Sequence, residues 1–370
     1  MRPVNAITLC KVVKSQMEPT SVLYEVYDRI VEILKNRGFV GHTPMITVLS
    51  AMLSVNPSAV PIKEIEQVLE EIIDSPDLGD HVDDVLIILK NVGIMNSDLV
   101  DKFYNLAVDI LREESINDVV KLATKYNHMY TSYTGMYLNR EFEAKVVKLI
   151  LEDIEQQDVL TFHPQALAAR LSLLITFGVN LDDNLIRKFK DFLGQYNAKS
   201  LLSISKAIDF RLKKEELKLM EKTINRDHRS PELTKIEEMS LLVNKASEEK
   251  FLKVTAEDKL VDIADLIRNY IHRNDFFNES FETVQKLLIE RLDRKQGTTR
   301  AVTMLCNSIA NPRQKIQAPG LLDSFVRFFL GRPDPGELHS QSIFRLLEVC
   351  FDSGHNPDVK FLNLCCELLR

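Results

Sequence analysis

Apolar residues recur at helical spacing along almost the whole chain. Runs such as EIEQVLEEII, LVDKFYNLAVDIL, EAKVVKLILEDI and KLVDIADLIRNYI set them three and four positions apart, which lines one face of a 3.6-residue helix and leaves the other polar. No segment carries a sustained strand-like alternation, and no Asn-Gly pair marks a hairpin. The pattern predicts an all-α fold.

The joints between these stripes share a form. ILKNVGIMNSDLVDKF, LLITFGVNLDDNLIRKF and EVCFDSGHNPDVKFL each close an apolar helix at a glycine (Gly93, Gly178, Gly354), place an aspartate four or five residues on (Asp98, Asp183, Asp358), and resume an apolar stripe. Glycine suits the left-handed helix C-cap, and aspartate accepts backbone N–H bonds at the next N-cap. A related joint without the glycine is expected in ISKAIDFRLKKEELKLM. Repeat starts near His42, His81, Ile116, His163, Lys199 and Pro231 give units of roughly 32 to 47 residues, the range of two-helix repeats. Such units bury their apolar faces only by stacking. The predicted architecture is an α-solenoid of stacked two-helix repeats, one continuous array over residues 1–370, with 1–40 as an N-terminal cap or partial repeat. Gly178 then reads as a repeat joint rather than a ligand loop, because its pattern recurs.

Composition supports a packed core, with 45% hydrophobic residues and no Trp. No apolar run approaches the ~20 residues that a membrane-spanning helix needs. The five cysteines (Cys10, Cys306, Cys350, Cys365, Cys366) are scattered, which argues against a disulfide framework or a zinc site and for a reducing interior compartment. Glycine-rich phosphate loops, a His-Glu-x-x-His helix and a Gly-x-Ser-x-Gly elbow are all missing from the sequence. His128 and His355 stand in suggestive company and read as cap or surface residues. The pairs Asp83–Asp84, Asp182–Asp183 and Glu215–Glu216 read as partners of helix N-termini. Tyr126, Tyr130, Tyr133 and Tyr137 could stack unpaired bases, although their spacing fits better with sealing a helix against its neighbour. The expectation is a protein without enzymatic activity, cofactor, metal or membrane partner.

Charge divides unevenly. Residues 1–160 hold 15 basic and 25 acidic side chains, a net of −10, leaving 32 and 29, a net of +3, for 161–370. Within the second part, RLDRKQGTTRAVTMLCNSIANPRQKIQAPG places Arg291, Arg294, Lys295, Arg300, Arg313 and Lys315 near helix ends and joints. A second basic run, KAIDFRLKKEELKLMEK, holds Lys206, Arg211, Lys213, Lys214, Lys218 and Lys222, interleaved with Asp209, Glu215, Glu216 and Glu221. Positive charge gathered on one part of an acidic chain is the footprint of a polyanion such as RNA. Arg291, Arg294, Lys295, Arg300, Arg313, Lys315, Arg211, Lys213 and Lys214 are the candidate contacts.

The joints LLITFGVNLDDNLIRKF and LLSISKAIDFRLKKEEL resemble the helical repeats of the FAST kinase domain-containing family, whose arrays are similar to octotricopeptide-type RNA-binding repeats. The resemblance runs from about Gly41 to Arg370. It implies a mitochondrial matrix protein that binds organellar RNA and acts in transcript processing, stability or translation. Kinase activity is not implied, since neither a kinase Gly-rich loop nor a His-Arg-Asp loop is present. The family's C-terminal RAP module is not identifiable, and the chain stops inside the apolar run FLNLCCELLR, so a longer parent chain is expected. Two functions stand side by side. One is a helical-repeat protein that binds single-stranded RNA. The other is an armadillo- or HEAT-like scaffold whose grooves hold partner proteins without nucleic acid.

Overall fold

The computed structural model describes residues 46, 49, 50, 53, 62–92, 97–132, 138–157, 162–221, 231–271, 278–309, 319–331, 340–352 and 354–368. Every regular element among them is helical: fifteen α-helices and one 3-10 turn. The chain divides into two compact units, residues 1–158 and 159–370.

In the first unit, α1 (Ile62–Ile73), α2 (Leu78–Val92) and α3 (Ser97–Glu114) pack on one another, and α3 packs again with α4 (Ile116–Ser132) and α5 (Arg140–Gln156). Each helix turns its apolar stripe inward: Phe103, Tyr104, Ala107 and Val108 of α3 are buried, as are Phe142, Val146 and Ile150 of α5. Tyr126 of α4 is 1% exposed, and its ring meets Tyr104 at 5.0 Å and Phe142 at 4.7 Å. Its hydroxyl accepts the Asn139 N–H at 2.9 Å and donates to Glu143 at 3.1 Å. Asn139 in turn caps α5 by accepting the Phe142 N–H at 2.8 Å. Tyr126 therefore seals two helices together and offers no face to a base. The Tyr130 side chain, Tyr133 and Tyr137 lie outside the described residues.

The second unit runs α6 (Pro164–Phe177), α7 (Asp183–Phe192), a 3-10 turn (Leu193–Gln195), α8 (Ala198–Glu221), α9 (Pro231–Leu252), α10 (Leu260–Ile271), α11 (Asn278–Asp293), α12 (Thr299–Ile309), α13 (Pro319–Leu330), α14 (Ser340–Asp352) and α15 (Val359–Leu368). Helices two apart in sequence pack together: α6 on α8, α8 on α10, α10 on α12 and α12 on α14, and separately α9 on α11, α11 on α13 and α13 on α15. From α8 onward their inner stripes form one apolar core, including Ile263, Leu288, Leu305, Phe325, Ile343 and Phe361. Each such side chain contributes about 1.5–3 kcal/mol on burial, so the apolar spacing read from the sequence drives the assembly. In α6, where nearly every position from Leu167 to Thr176 is buried, the polar side chains satisfy themselves. The Ser172 and Thr176 hydroxyls donate to the carbonyls four residues back, each at 2.8 Å.

The joint at Gly178 has the expected form. The Val179 N–H donates to the Leu174 carbonyl at 2.9 Å, the Gly178 N–H to Ile175 at 3.1 Å, and Gly178 sits at φ 85°, the left-handed C-cap geometry that glycine adopts without strain. A Cβ there would also lie 2.1 Å from Nη1 of Arg211. The joint at Gly354 repeats the pattern, with the His355 N–H donating to Cys350 at 2.8 Å and Asp358 accepting the Lys360 N–H at 2.8 Å. The Gly93 joint lies outside the described residues.

Three sequence expectations are corrected. The N-cap of α7 is Asp182, which accepts the Leu185 N–H at 2.7 Å; Asp183 is the next residue and pairs with Lys235 at 2.8 Å. ISKAIDFRLKKEELKLM holds no joint, because residues 204–220 run inside α8; strong helix formers and the Arg211–Glu215 pair support an unbroken helix. Of the carboxylate pairs, Asp182–Asp183 stands at a helix start. Asp83 and Asp84 lie within α2, where Asp83 meets Lys125 and Asp84 accepts the Ser50 hydroxyl at 2.7 Å, and Glu215 lies within α8. The expected starts at Ile116, His163, Lys199 and Pro231 fall within one residue of the starts of α4, α6, α8 and α9, whereas His81 falls inside α2 and His42 lies outside the described residues.

Candidate nucleic-acid interface

The basic residues near the end of α11 stand where four helix termini meet. The α11 terminus closes with the Gln296 N–H on the Arg291 carbonyl and the Lys295 N–H on Leu292, both at 2.9 Å. This leaves Lys295 at φ 56°, a conformation that disfavours a side chain by roughly 1–2 kcal/mol. Gly297 follows at φ 117°, and a Cβ there would lie 2.5 Å from Cδ1 of Leu260. The α11–α12 joint thus presses on the start of α10. Thr298 then caps α12 by accepting the Ala301 N–H at 3.2 Å.

Side chains tie the neighbouring ends together. Arg291 donates through Nη1 to the Asp258 carbonyl in the α9–α10 joint at 2.6 Å, and its Nε is buried with no hydrogen-bond partner. The guanidinium of Arg291 is committed to holding the joint. The Lys295 stem crosses Gly331 at the end of α13, where a Cβ would stand 3.1 Å from both Cε and Nζ. Arg327 of α13 donates to Asp293 of α11 through Nε at 3.2 Å and Nη2 at 2.9 Å.

On the outer rim of this junction Arg294, Lys295 and Arg300 are exposed. Arg294 is 68% exposed and reaches Glu290 at 3.6 Å; an exposed pair of this kind contributes about 0–1 kcal/mol, so its charge remains available to an anion. Arg300 stands in the first turn of α12, where the helix dipole repels its own cation and both attract a phosphate. Arg313 and Lys315 lie outside the described residues.

The basic run on α8 separates into different roles. Arg211, 16% exposed, pairs with Glu215 at 3.4 Å and lies over Gly178. With Asn180, Glu215, Glu232 and Lys235 it lines a cleft of about 290 Å³, where two cations face two carboxylates. Lys214 is half-buried with its ammonium 5.9 Å from the centre of the Phe210 ring. Lys213 is exposed. The side chain of Lys218 and all of Lys222 lie outside the description. Four further cations stand outside the candidate contacts: Arg327 at the α13 end, Lys199 and Lys206 on α8, and Arg268 on α10. Arg327 is isolated in VRFFL and joins the cluster only through packing.

His355 meets Asp323 of α13 through Nε2 at 3.0 Å, which fastens the α14–α15 joint to its neighbour, and His128 is exposed on α4. The thiol of buried Cys306 is pushed up to about 12 by burial, and that of Cys350 to about 11. Among the described residues no group of three or more His, Cys, Asp or Glu side chains is placed to hold a metal ion, and no helix is long and apolar enough to cross a membrane. No protein-family model matches this chain, and no curated protein matches it.

Proposed function

We propose that this protein is a helical-repeat RNA-binding protein, an α-solenoid whose stacked joints present cations to the phosphates of single-stranded RNA. The observation that carries the reading is the rim at the α11–α12 joint, where Arg294, Lys295 and Arg300 are exposed together beside the ends of α10 and α13. A strained lysine at a helix terminus costs stability, and a local cost of this kind is commonly kept for a functional contact. Packing between helices two apart in sequence supports the repeat architecture, and the resemblance of the Gly178 joint to FAST kinase domain-containing repeats supports mitochondrial RNA processing, stability or translation as the setting. The test is fluorescence anisotropy of the chain with mixed-sequence single-stranded RNA. Wild type is expected to bind with steep salt dependence, and Arg294→Glu/Lys295→Glu/Arg300→Glu to lose binding with its circular dichroism unchanged. Equal binding by the variant rejects this rim as the interface.

A second reading rests on α9. Leu241 and Leu252 are 69% and 61% exposed, and eleven residues is close to three full turns, so the two leucines share an open face with Glu238, Lys245 and Glu249. A scaffold would seat a basic amphipathic partner helix there. Capture of such a peptide that is lost in Leu241→Gln/Leu252→Gln, with no binding of RNA, would favour the scaffold.

A further inference from the structure

Helix α8 mixes basic and acidic residues in sequence, but its lysines at 199, 206 and 213 recur every seven residues. The helix packs against α6, α9 and α10, which leaves a strip of its surface open. From Ala198 to Lys213 the exposed positions are Lys199, Ser203, Lys206 and Lys213. Seven residues is close to two helical turns, so Lys199, Lys206 and Lys213 stand in one row with Ser203 beside them. Between Lys199 and Lys213 no exposed position is acidic: Asp209, the one carboxylate in that interval, is half-buried; beyond the row Glu215 is held by Arg211, and Glu216 is exposed one turn past Lys213.

Helix α10 adds a fourth cation to this row. Arg268 is half-buried, and Asp265 beside it is 6% exposed with an oxygen 3.8 Å from Nη1 of Arg268. Lys206 feels both groups. Loss of water around its ammonium and the nearby Arg268 charge hold its pKa below the usual lysine value, against the pull of Asp265. Lys199 also acts on Asp265. One sheltered carboxylate is thus shared among three cations, with exposed Asp262 beyond it and Lys213 extending the row. Like charges held this close repel, and a bound anion relieves the repulsion.

We propose that the row Lys199, Lys206 and Lys213 of α8, with Arg268 of α10, binds consecutive phosphates of single-stranded RNA. Fourteen residues of helix span about 21 Å, the length of several nucleotides, and the Ser203 hydroxyl supplies a neutral donor within the row. The proposal rests on the RNA-binding reading above and names a surface that holds the strand. RNA is favoured over an acidic protein segment because the cations form a single extended file rather than a pocket, which suits a regularly spaced polyanion.

The test compares the full chain with Lys199→Gln/Lys206→Gln/Lys213→Gln, and with a control carrying Lys245→Gln, Lys286→Gln and Lys360→Gln at other exposed sites. A mixed-sequence single-stranded RNA is titrated by anisotropy over a range of salt. Three lost phosphate contacts make the slope of log K against log salt shallower by about 2, with unchanged melting and a control that behaves as wild type. A row variant that keeps the wild-type slope and affinity overturns this proposal and leaves the RNA reading standing. A wild-type chain that binds no RNA at low salt overturns that reading and this proposal together. A polyglutamate peptide of equal charge that displaces RNA at the same concentration as unlabelled RNA overturns the assignment in favour of an acidic protein segment.

Discussion

Tyr126 ties α4 to both α3 and α5 through four contacts at once: its ring packs on Tyr104 and Phe142, and its hydroxyl serves both the Asn139 N–H and Glu143. Tyr126→Phe keeps the ring and orphans a buried N–H, which costs about 1–3 kcal/mol. Chemical denaturation should show that loss with RNA binding unchanged, and a variant as stable as wild type would show that water replaces the hydroxyl. Asp265 gives a prediction of opposite sign. Burial raises its pKa above the usual carboxylate range despite Arg268 and the two lysines. A carboxyl whose pKa is raised on folding binds its proton more tightly in the native state, so its ionised form weakens the fold. Asp265→Asn is expected to be more stable than wild type at neutral pH, with the advantage shrinking as pH falls through the folded pKa of Asp265. An advantage that grows on acidification would contradict this. The sealing role of Tyr126 was legible, because tyrosines three and four apart fit a helix packed on its neighbour. That of Asp265 was not, since its surroundings come from α8, some sixty residues away.

At the scale of elements, the sequence was most legible where backbone chemistry is local. Gly178 and Gly354 were recognisable as C-caps because left-handed geometry favours glycine, and the starts of α4 and α8 follow from the capping side chains Ser115 and Asn197, those of α6 and α9 from a proline at the first helical position. The expected break inside α8 failed because a dense run of charged residues resembles a loop in composition while its members are good helix formers. The α7 cap was misplaced by one residue because Asp182 and Asp183 are equivalent as letters, and only the geometry of the turn selects between them. Gly178→Ala tests the joint. The φ of 85° and the clash with Arg211 together predict a loss of at least about 1–2 kcal/mol. Adding Arg211→Ala should restore the steric part alone. A Gly178→Ala variant as stable as wild type would show that the joint relaxes freely.

At the scale of the whole molecule, the charge division visible in the sequence becomes more specific once folded. The run around Arg291 was legible as a basic patch, but packing gives its members separate tasks: Arg291 clamps a joint while Arg294, Lys295 and Arg300 face solvent. The α8 run was diluted in sequence by Asp209, Glu215 and Glu216, and helical periodicity turns Lys199, Lys206 and Lys213 to one face with Glu215 on another. The spacing of seven was present in the letters, but only the packing of α8 shows which of its faces remains open. The most direct measurement of the central claim is ultraviolet cross-linking of bound single-stranded RNA, with the attached peptides identified by mass spectrometry. Cross-links are expected on peptides that contain the α8 row and the α11–α12 rim. Cross-links confined to residues 62–157, or none under conditions in which a known RNA-binding protein labels efficiently, would contradict the claim.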